Sequence, residues 1–271
     1  MTPHLLDRYL RLLSVPHRPP GLEALSELVR AQVERIPFEN LSKLYRFHRF
    51  GLTGLPSLEE HLDGIEWLRL GGTCYANNAY LHALLLALGY EVRLYGGDMS
   101  HPDVHMVNVV MLGGREFLVD GGYGAPFLTP MPLDDERDQV LALGRDRYLL
   151  HPRDPAGSFA LEHIRDGQAS HGYRVRPIER EVAHFRGAIA DSFRPGATFM
   201  NAVVLVRFSA GRSRSIRNLS FVEAWGDQEL RRPIAGADAL VELAETGFGV
   251  PREVTTSALE VVGKRVAAAP P

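Results

Sequence analysis

The hydrophobic pattern of this chain changes period once, near Glu91, and that change limits the folds open to it. Before it, apolar residues recur at helical spacing. Leu5, Leu6, Tyr9, Leu10, Leu12 and Leu13 interleave with Asp7, Arg8 and Arg11, and Leu22–Arg35 continues the pattern until Pro37 ends it. After it the period is two. Glu91–Tyr95, His105–Leu112 and Glu116–Val119 read as short strands parted by Gly96-Gly97 and Gly113-Gly114, the second pair being a hairpin turn. Helices followed by antiparallel strands place the chain in the α+β class, with the strands in a sheet or small barrel. Gly121–Pro132 and Asp134–Arg147 read as loops. Strand pattern returns near Arg147–Leu150, Tyr173–Arg176 and Ala202–Phe208, whereas Asp238–Glu245 and Glu253–Val266 read as helical or mixed.

Charge and cysteine content exclude several functions. Asp and Glu number 33 against 30 Lys and Arg, a net charge of −3, with no basic run of the kind that phosphate backbones or anionic membranes require. Neither nucleic acid nor membrane is an expected partner. The most apolar stretch, Ala79–Gly89, contains His82 and falls short of the ~18 apolar residues of a membrane span. With 1 cysteine the chain can form no internal disulfide and no Cys-rich metal site, so a reducing, cytoplasmic location is expected.

That cysteine, Cys74, follows Gly71-Gly72-Thr73 and precedes the apolar stretch Tyr80–Leu88, at the start of an expected helix. Unpaired N–H groups there stabilise negative charge on sulfur, and the glycines let a substrate approach the backbone. A buried lone cysteine is the commoner fate of the residue. A thiolate used for acyl transfer also needs a base, and the base needs a group that fixes its tautomer. With Gly113-Gly114 as the turn, Asp120 falls beside Val107, about one residue pair from His105. Singly, His105 reads as a strand-end histidine and Asp120 as a turn former. His101 and His105 could join Cys74 and Asp120 around zinc, but their spacing matches no standard zinc pattern, and no metal is expected.

Taken together, the motifs resemble those of the arylamine N-acetyltransferase family. Ile36-Pro37-Phe38-Glu39-Asn40-Leu41 resembles the segment after the family's second helix, Gly71–Tyr75 its nucleophile motif, His105-Met106 its histidine strand, and Leu118–Gly124 its aspartate turn; Ser192–Phe199 resembles more loosely the segment entering its third region. The resemblance implies a helical bundle over 1–90 carrying the nucleophile, an antiparallel β-barrel over 91–190 carrying histidine and aspartate, and an α/β lid over 191–271. It implies a cysteine-protease-like core of Cys74, His105 and Asp120, with Phe38, Tyr123, Phe127 and Phe199 near the thiol where an aromatic substrate stacks. The implied activity is transfer of acetyl from acetyl-CoA, a co-substrate, to an arylamine or arylhydrazine through an acetyl-cysteine. The N–H of Tyr75, from its position at the helix start, is the expected oxyanion donor. Two other readings share the fold: an amide synthase closing a carrier-bound acyl chain onto an aryl amine, and a non-catalytic binding protein.

The sequence departs from the family beside the nucleophile. Leu70 stands where the family has arginine, and Ala76 where it has glutamate. Glu39, the usual partner of that arginine, is retained. It must therefore be solvated, protonated, or met by another cation such as Arg69 or Arg35.

Overall fold

A computed structural model of the chain describes residues 1–263 and 265–268. Thr2 caps α1 (Pro3–Leu13), whose apolar face packs on α2 (Leu22–Arg35) and α5 (Cys74–Ala87) through Tyr9, Leu13, Leu25, Leu81 and Leu84. Between α2 and α5 run the two-residue strand β1 (Phe38–Glu39), α3 (Leu41–Phe50) and α4 (Leu58–Leu68), the last opened by a Ser57/Glu60 capping box. Arg8 ties α1 to α4 through Asp63 at 2.7 Å and Glu66 at 2.6 Å.

At Glu91 the chain enters an 8-stranded antiparallel sheet that curls into a nearly closed barrel. Its strands are β2 (Glu91–Asp98), β3 (His105–Leu112), β4 (Arg115–Val119), β5 (Met131–Pro132), β6 (Gln139–Leu143), β7 (Asp146–His151), β8 (Phe159–Arg165) and β9 (Gln168–Arg180). They lie in the order β5-β4-β3-β2-β9-β8-β7-β6. The register Asn108↔Val119 across the β3–β4 hairpin sets Asp120 level with Val107, as the turn position requires. Tyr95, Val107, Leu118, Phe127, Tyr148, Leu161 and Tyr173 fill the interior.

After α6 (Arg186–Asp191), the strands β10 (Val204–Ser209), β11 (Arg212–Arg217), β12 (Ser220–Trp225) and β13 (Gln228–Pro233) add to β1 in a second, 5-stranded sheet. The helices α7 (Ala237–Phe248) and α8 (Arg252–Val262) cover it, burying Leu205, Ile216, Phe221, Phe248 and Val254 with Leu41 and Leu70. Among the described residues no helix is long and apolar enough to cross a membrane.

Two local expectations are corrected. Gln139–Leu143, inside an expected loop, is a strand held by full pairing with β7. The last helical stretch breaks at Gly263, where φ is 59°, and α9 (Arg265–Ala268) follows; residues 264 and 269–271 of the expected third region lie outside the described residues.

Candidate active site

The segment before Cys74 is fixed by what lies beneath it. A Cβ on Gly71 would sit 2.1 Å from the Pro37 carbonyl oxygen, so only glycine permits this approach. Gly72 forms a parallel bridge with Phe38, and the Glu39 N–H donates to its carbonyl at 3.1 Å. Glu39 is fully buried. Its Oε1 accepts the Gly71 N–H at 3.0 Å and its Oε2 the Ser42 N–H at 2.8 Å. Burial raises its carboxyl above the usual range, and hydrogen bonds from Ser42 and Gly71 and the charge of Arg46 only partly oppose this.

Arg46, on α3, is the cation whose charge reaches Glu39, without a direct ion pair to it, and neither Arg69 nor Arg35 pairs with this carboxyl. Arg35 is exposed, and Arg69 runs along Gly249. Leu70 lies in the apolar cluster under the second sheet, while Arg46 donates to the Glu60 carbonyl at 2.7 Å. A crevice beside the nucleophile segment is lined by Lys43, Arg46, Gly72, Thr73 and Ala76. Burial pushes Lys43 down to about 8 against the opposing influence of Cys74, and its ammonium donates to Ser192 O and Oγ at 2.7 and 2.6 Å.

Cys74 begins α5 and is buried. Thr73 offers no side-chain cap, and the first helical bond is Asn77 N–H to Thr73 O at 3.1 Å, so the Tyr75 N–H has no partner within the helix. His105 lies on β3 with its Nε2–H donating to Asp120 Oδ2 at 2.8 Å, and Cys74 is near enough to favour its charged form. Asp120 has four donors in all. Asn78 Nδ2 at 2.7 Å and Gly122 N–H at 3.0 Å reach Oδ1, and Tyr173 Oη at 3.0 Å joins His105 on Oδ2.

Burial opposes charge on both partners, yet their mutual attraction outweighs it. Burial would lower His105, but Asp120 and then Cys74 raise it well above its ordinary value. Burial would raise Asp120, but His105, Asn78 and Gly122 hold it below the usual carboxylate range. The pair is an imidazolium–carboxylate at neutral pH. It can hold a positive charge against a thiolate and give or take one proton beside it.

The aromatic residues divide. Tyr123 sets its ring edge-on to His105 at 5.7 Å between centroids, and Phe38 meets Phe199 edge-on at 5.7 Å beside Gly124. Phe127 is buried in the barrel, stacked on Tyr123 at 5.8 Å, so it reaches the site only through that ring. Sequence reasoning missed Asn78 and Tyr173. Asn78 had a signal, because it lies four residues after Cys74 on the same helix face.

The N-acetyltransferase family model matches residues 21–256. The chain belongs to the arylamine N-acetyltransferase family. This member is 31% identical over 159 residues to the pineal gland isozyme NAT-3 of Gallus gallus, covering 55% of this chain and 52% of that protein. The alignment thus spans about half the length of that curated relative. Among solved structures, the arylamine N-acetyltransferase of Mycobacterium abscessus superposes with TM-score 0.80 at 20% identity, over 97% of this chain and 94% of that one. The Mycobacterium marinum enzyme in complex with CoA gives 0.78 at 22%, over 94% and 99%. These likenesses establish the fold of this family member along nearly its whole length.

Proposed function

We propose that this family member is an acyltransferase that moves an acetyl group from acetyl-CoA to the nitrogen of an aromatic amine or hydrazine by way of an acetyl-cysteine. The supporting observation is the buried His105–Asp120 pair beside Cys74, in which one carboxylate with four donors orients the imidazole. In the first half-reaction the Cys74 thiolate, its proton already on His105, attacks the thioester carbonyl. The C–S bond to CoA breaks, and the leaving thiolate takes the proton from His105. In the second half-reaction the amine nitrogen attacks the acetyl-cysteine, its proton passes to His105, and the Cys74 thiolate leaves. The free N–H of Tyr75 donates to the oxyanion in both steps. Phe38, Tyr123 and Phe199 form the aromatic surface for the acceptor, with Phe127 behind Tyr123. On this reading residues 1–90 supply the nucleophile, 91–190 the base and its orienter, and 191–271 the cover over them.

An amide synthase would use the same three residues on a longer, carrier-bound acyl chain; a binding protein would use none. Incubation with acetyl-CoA followed by intact mass measurement separates these. A single acetyl adduct lost in Cys74→Ser supports the proposal. No adduct, with CoA retained intact, removes it.

A further inference from the structure

Tyr123 and three side chains behind it form a hydrogen-bonded chain that acyl transfer at Cys74 does not use. Tyr123 Oη lies 2.5 Å from His171 Nδ1, His171 Nε2 lies 3.0 Å from His163 Nδ1, and His163 Nε2 lies 2.8 Å from Asp146 Oδ1. Strand pairing builds this chain. His163 on β8 is opposite His171 on β9, and Tyr148 on β7 is opposite His163, stacked on it at 4.6 Å and 11°. Arg165 anchors the far end, donating to Asp146 Oδ2 at 2.7 Å and to both oxygens of Glu229 on β13 at 2.6 and 2.7 Å.

Only one arrangement of protons satisfies every link with neutral rings. The Asp146 carboxylate can only accept, so His163 carries its proton on Nε2 and leaves Nδ1 bare. His171 must then donate from Nε2, which leaves its own Nδ1 bare to accept the tyrosine hydroxyl proton. Tyr123 thereby commits its single proton to the barrel and keeps its oxygen lone pairs for another donor. Desolvation of the ring where it packs on its barrel neighbours, with the charge of Arg217, keeps His171 neutral by lowering it to about 4. The ring so fixed stands against both His105, at 5.7 Å, and Tyr173, at 5.4 Å, the latter bonded to Asp120.

We infer that His171, His163 and Asp146 are positioning residues that hold Tyr123 as an oriented aromatic wall and hydrogen-bond acceptor for the N–H of the incoming aromatic amine. The inference rests on the proposed reading for the identity of that acceptor.

The test is calorimetric binding of 4-methoxyaniline to the full chain and to His171→Ala, Tyr123→Phe and the double variant. His171 reaches solvent at the rim of the barrel and belongs to no core cluster, so His171→Ala keeps the fold. Each single variant should weaken binding about five- to tenfold, as loss of one such hydrogen bond does. The double variant should be no weaker than either, because both act through one link. Alkylation of Cys74 by iodoacetamide should stay within twofold in His171→Ala, which a general loosening of the site would not allow. Unchanged binding in His171→Ala, losses that multiply in the double variant, a parallel fall in alkylation, or no saturable binding to the wild type would each overturn the inference. The acetyl adduct is scored separately on the wild type. Its absence with the binding pattern intact would remove the transfer reading and leave the positioning of Tyr123 standing.

Discussion

Gly122→Ala tests how closely the aspartate turn is seated on the nucleophile helix. A Cβ at this position would lie 2.9 Å from both Cys74 Cα and Cys74 O and 2.7 Å from Asn78 Nδ2. Ordinary carbon contacts begin near ~3.5 Å, so the turn and the helix must part by about 0.5 Å or more. Neither backbone atom of Cys74 belongs to a flexible side chain that could move aside. Gly122 has no left-handed φ, so the effect is steric rather than conformational. Overpacking of this kind costs about 1–3 kcal/mol, or roughly 2–10 °C in Tm for a chain of this size. Function should suffer more than stability. The Gly122 N–H holds Asp120 Oδ1 at 3.0 Å, and displacement of a catalytic group by ~1 Å costs about 100-fold in rate. The assay pairs thermal melts with the rate of Cys74 acetylation by acetyl-CoA. Gly121→Ala is the control, since its Cβ would press at 3.1 Å on the side chains of Gln32 and Leu81, which can give, and meet Asn78 Oδ1 only at an ordinary 3.9 Å. Wild-type acetylation in Gly122→Ala, or an equal loss in Gly121→Ala, would refute this account of the contact.

Four further outcomes follow from the charges and their surroundings. Iodoacetamide should alkylate Cys74 readily at pH 6, and Asp120→Ala should slow it at least tenfold by removing the charge that keeps His105 cationic; equal rates in both proteins would sever that link. In Asp120→Asn the stability deficit should be largest at neutral pH. The raised His105 gives stability that is lost as pH rises through its folded value, and the lowered Asp120 gives stability that is lost as pH falls through its folded value, so melts across pH 3 to 10 should converge at both ends. Arg46→Met should destabilise more at pH 8 than at pH 4. The raised Glu39 contributes stability that is lost as pH rises, and removing its cation raises it further; adding Glu39→Gln should flatten the difference. Leu70→Arg should lower stability by about 2 kcal/mol or more at all these pH values, because Leu70 is buried in an apolar cluster and Arg46 already serves Glu39. A stabilised Leu70→Arg protein would place Arg46 elsewhere.

Much of this site was legible because its parts are close in sequence and strongly patterned. The turn at Gly113-Gly114 alone sets the strand register that levels Asp120 with Val107. The helix start at Cys74 follows from two glycines and an apolar run. Other parts were illegible for definite reasons. The sequences of β11 and β13, Arg-Ser-Arg-Ser-Ile-Arg and Gln-Glu-Leu-Arg-Arg-Pro, carry no apolar alternation, so their strand character comes from pairing alone. Arg46 could not be matched to Glu39, because the approach runs between a strand and the far turn of a helix. His163 and His171 look like unrelated surface histidines until the β8–β9 pairing sets them opposite each other.

The clamp on β1 bears on the order in which a ribosome delivers the chain. Glu39 can brace the glycines before Cys74 only while its own strand is held, and that strand pairs with β10 through Phe38↔Val206 and Glu39↔Leu205. Asn40 fastens the same junction, accepting the Val204 N–H at 2.7 Å and donating to Ala202 O at 2.6 Å across 164 and 162 positions. Cys74, His105 and Asp120 emerge early, but the brace beneath the thiol waits for a contact of very long sequence separation, which closes slowly. A nascent chain thus carries Cys74 through the synthesis of about 130 further residues without the finished support for its helix start. On the proposed reading, acylating competence waits until the strand near residue 205 docks, and any lesion that delays this docking would leave the thiol present but unready.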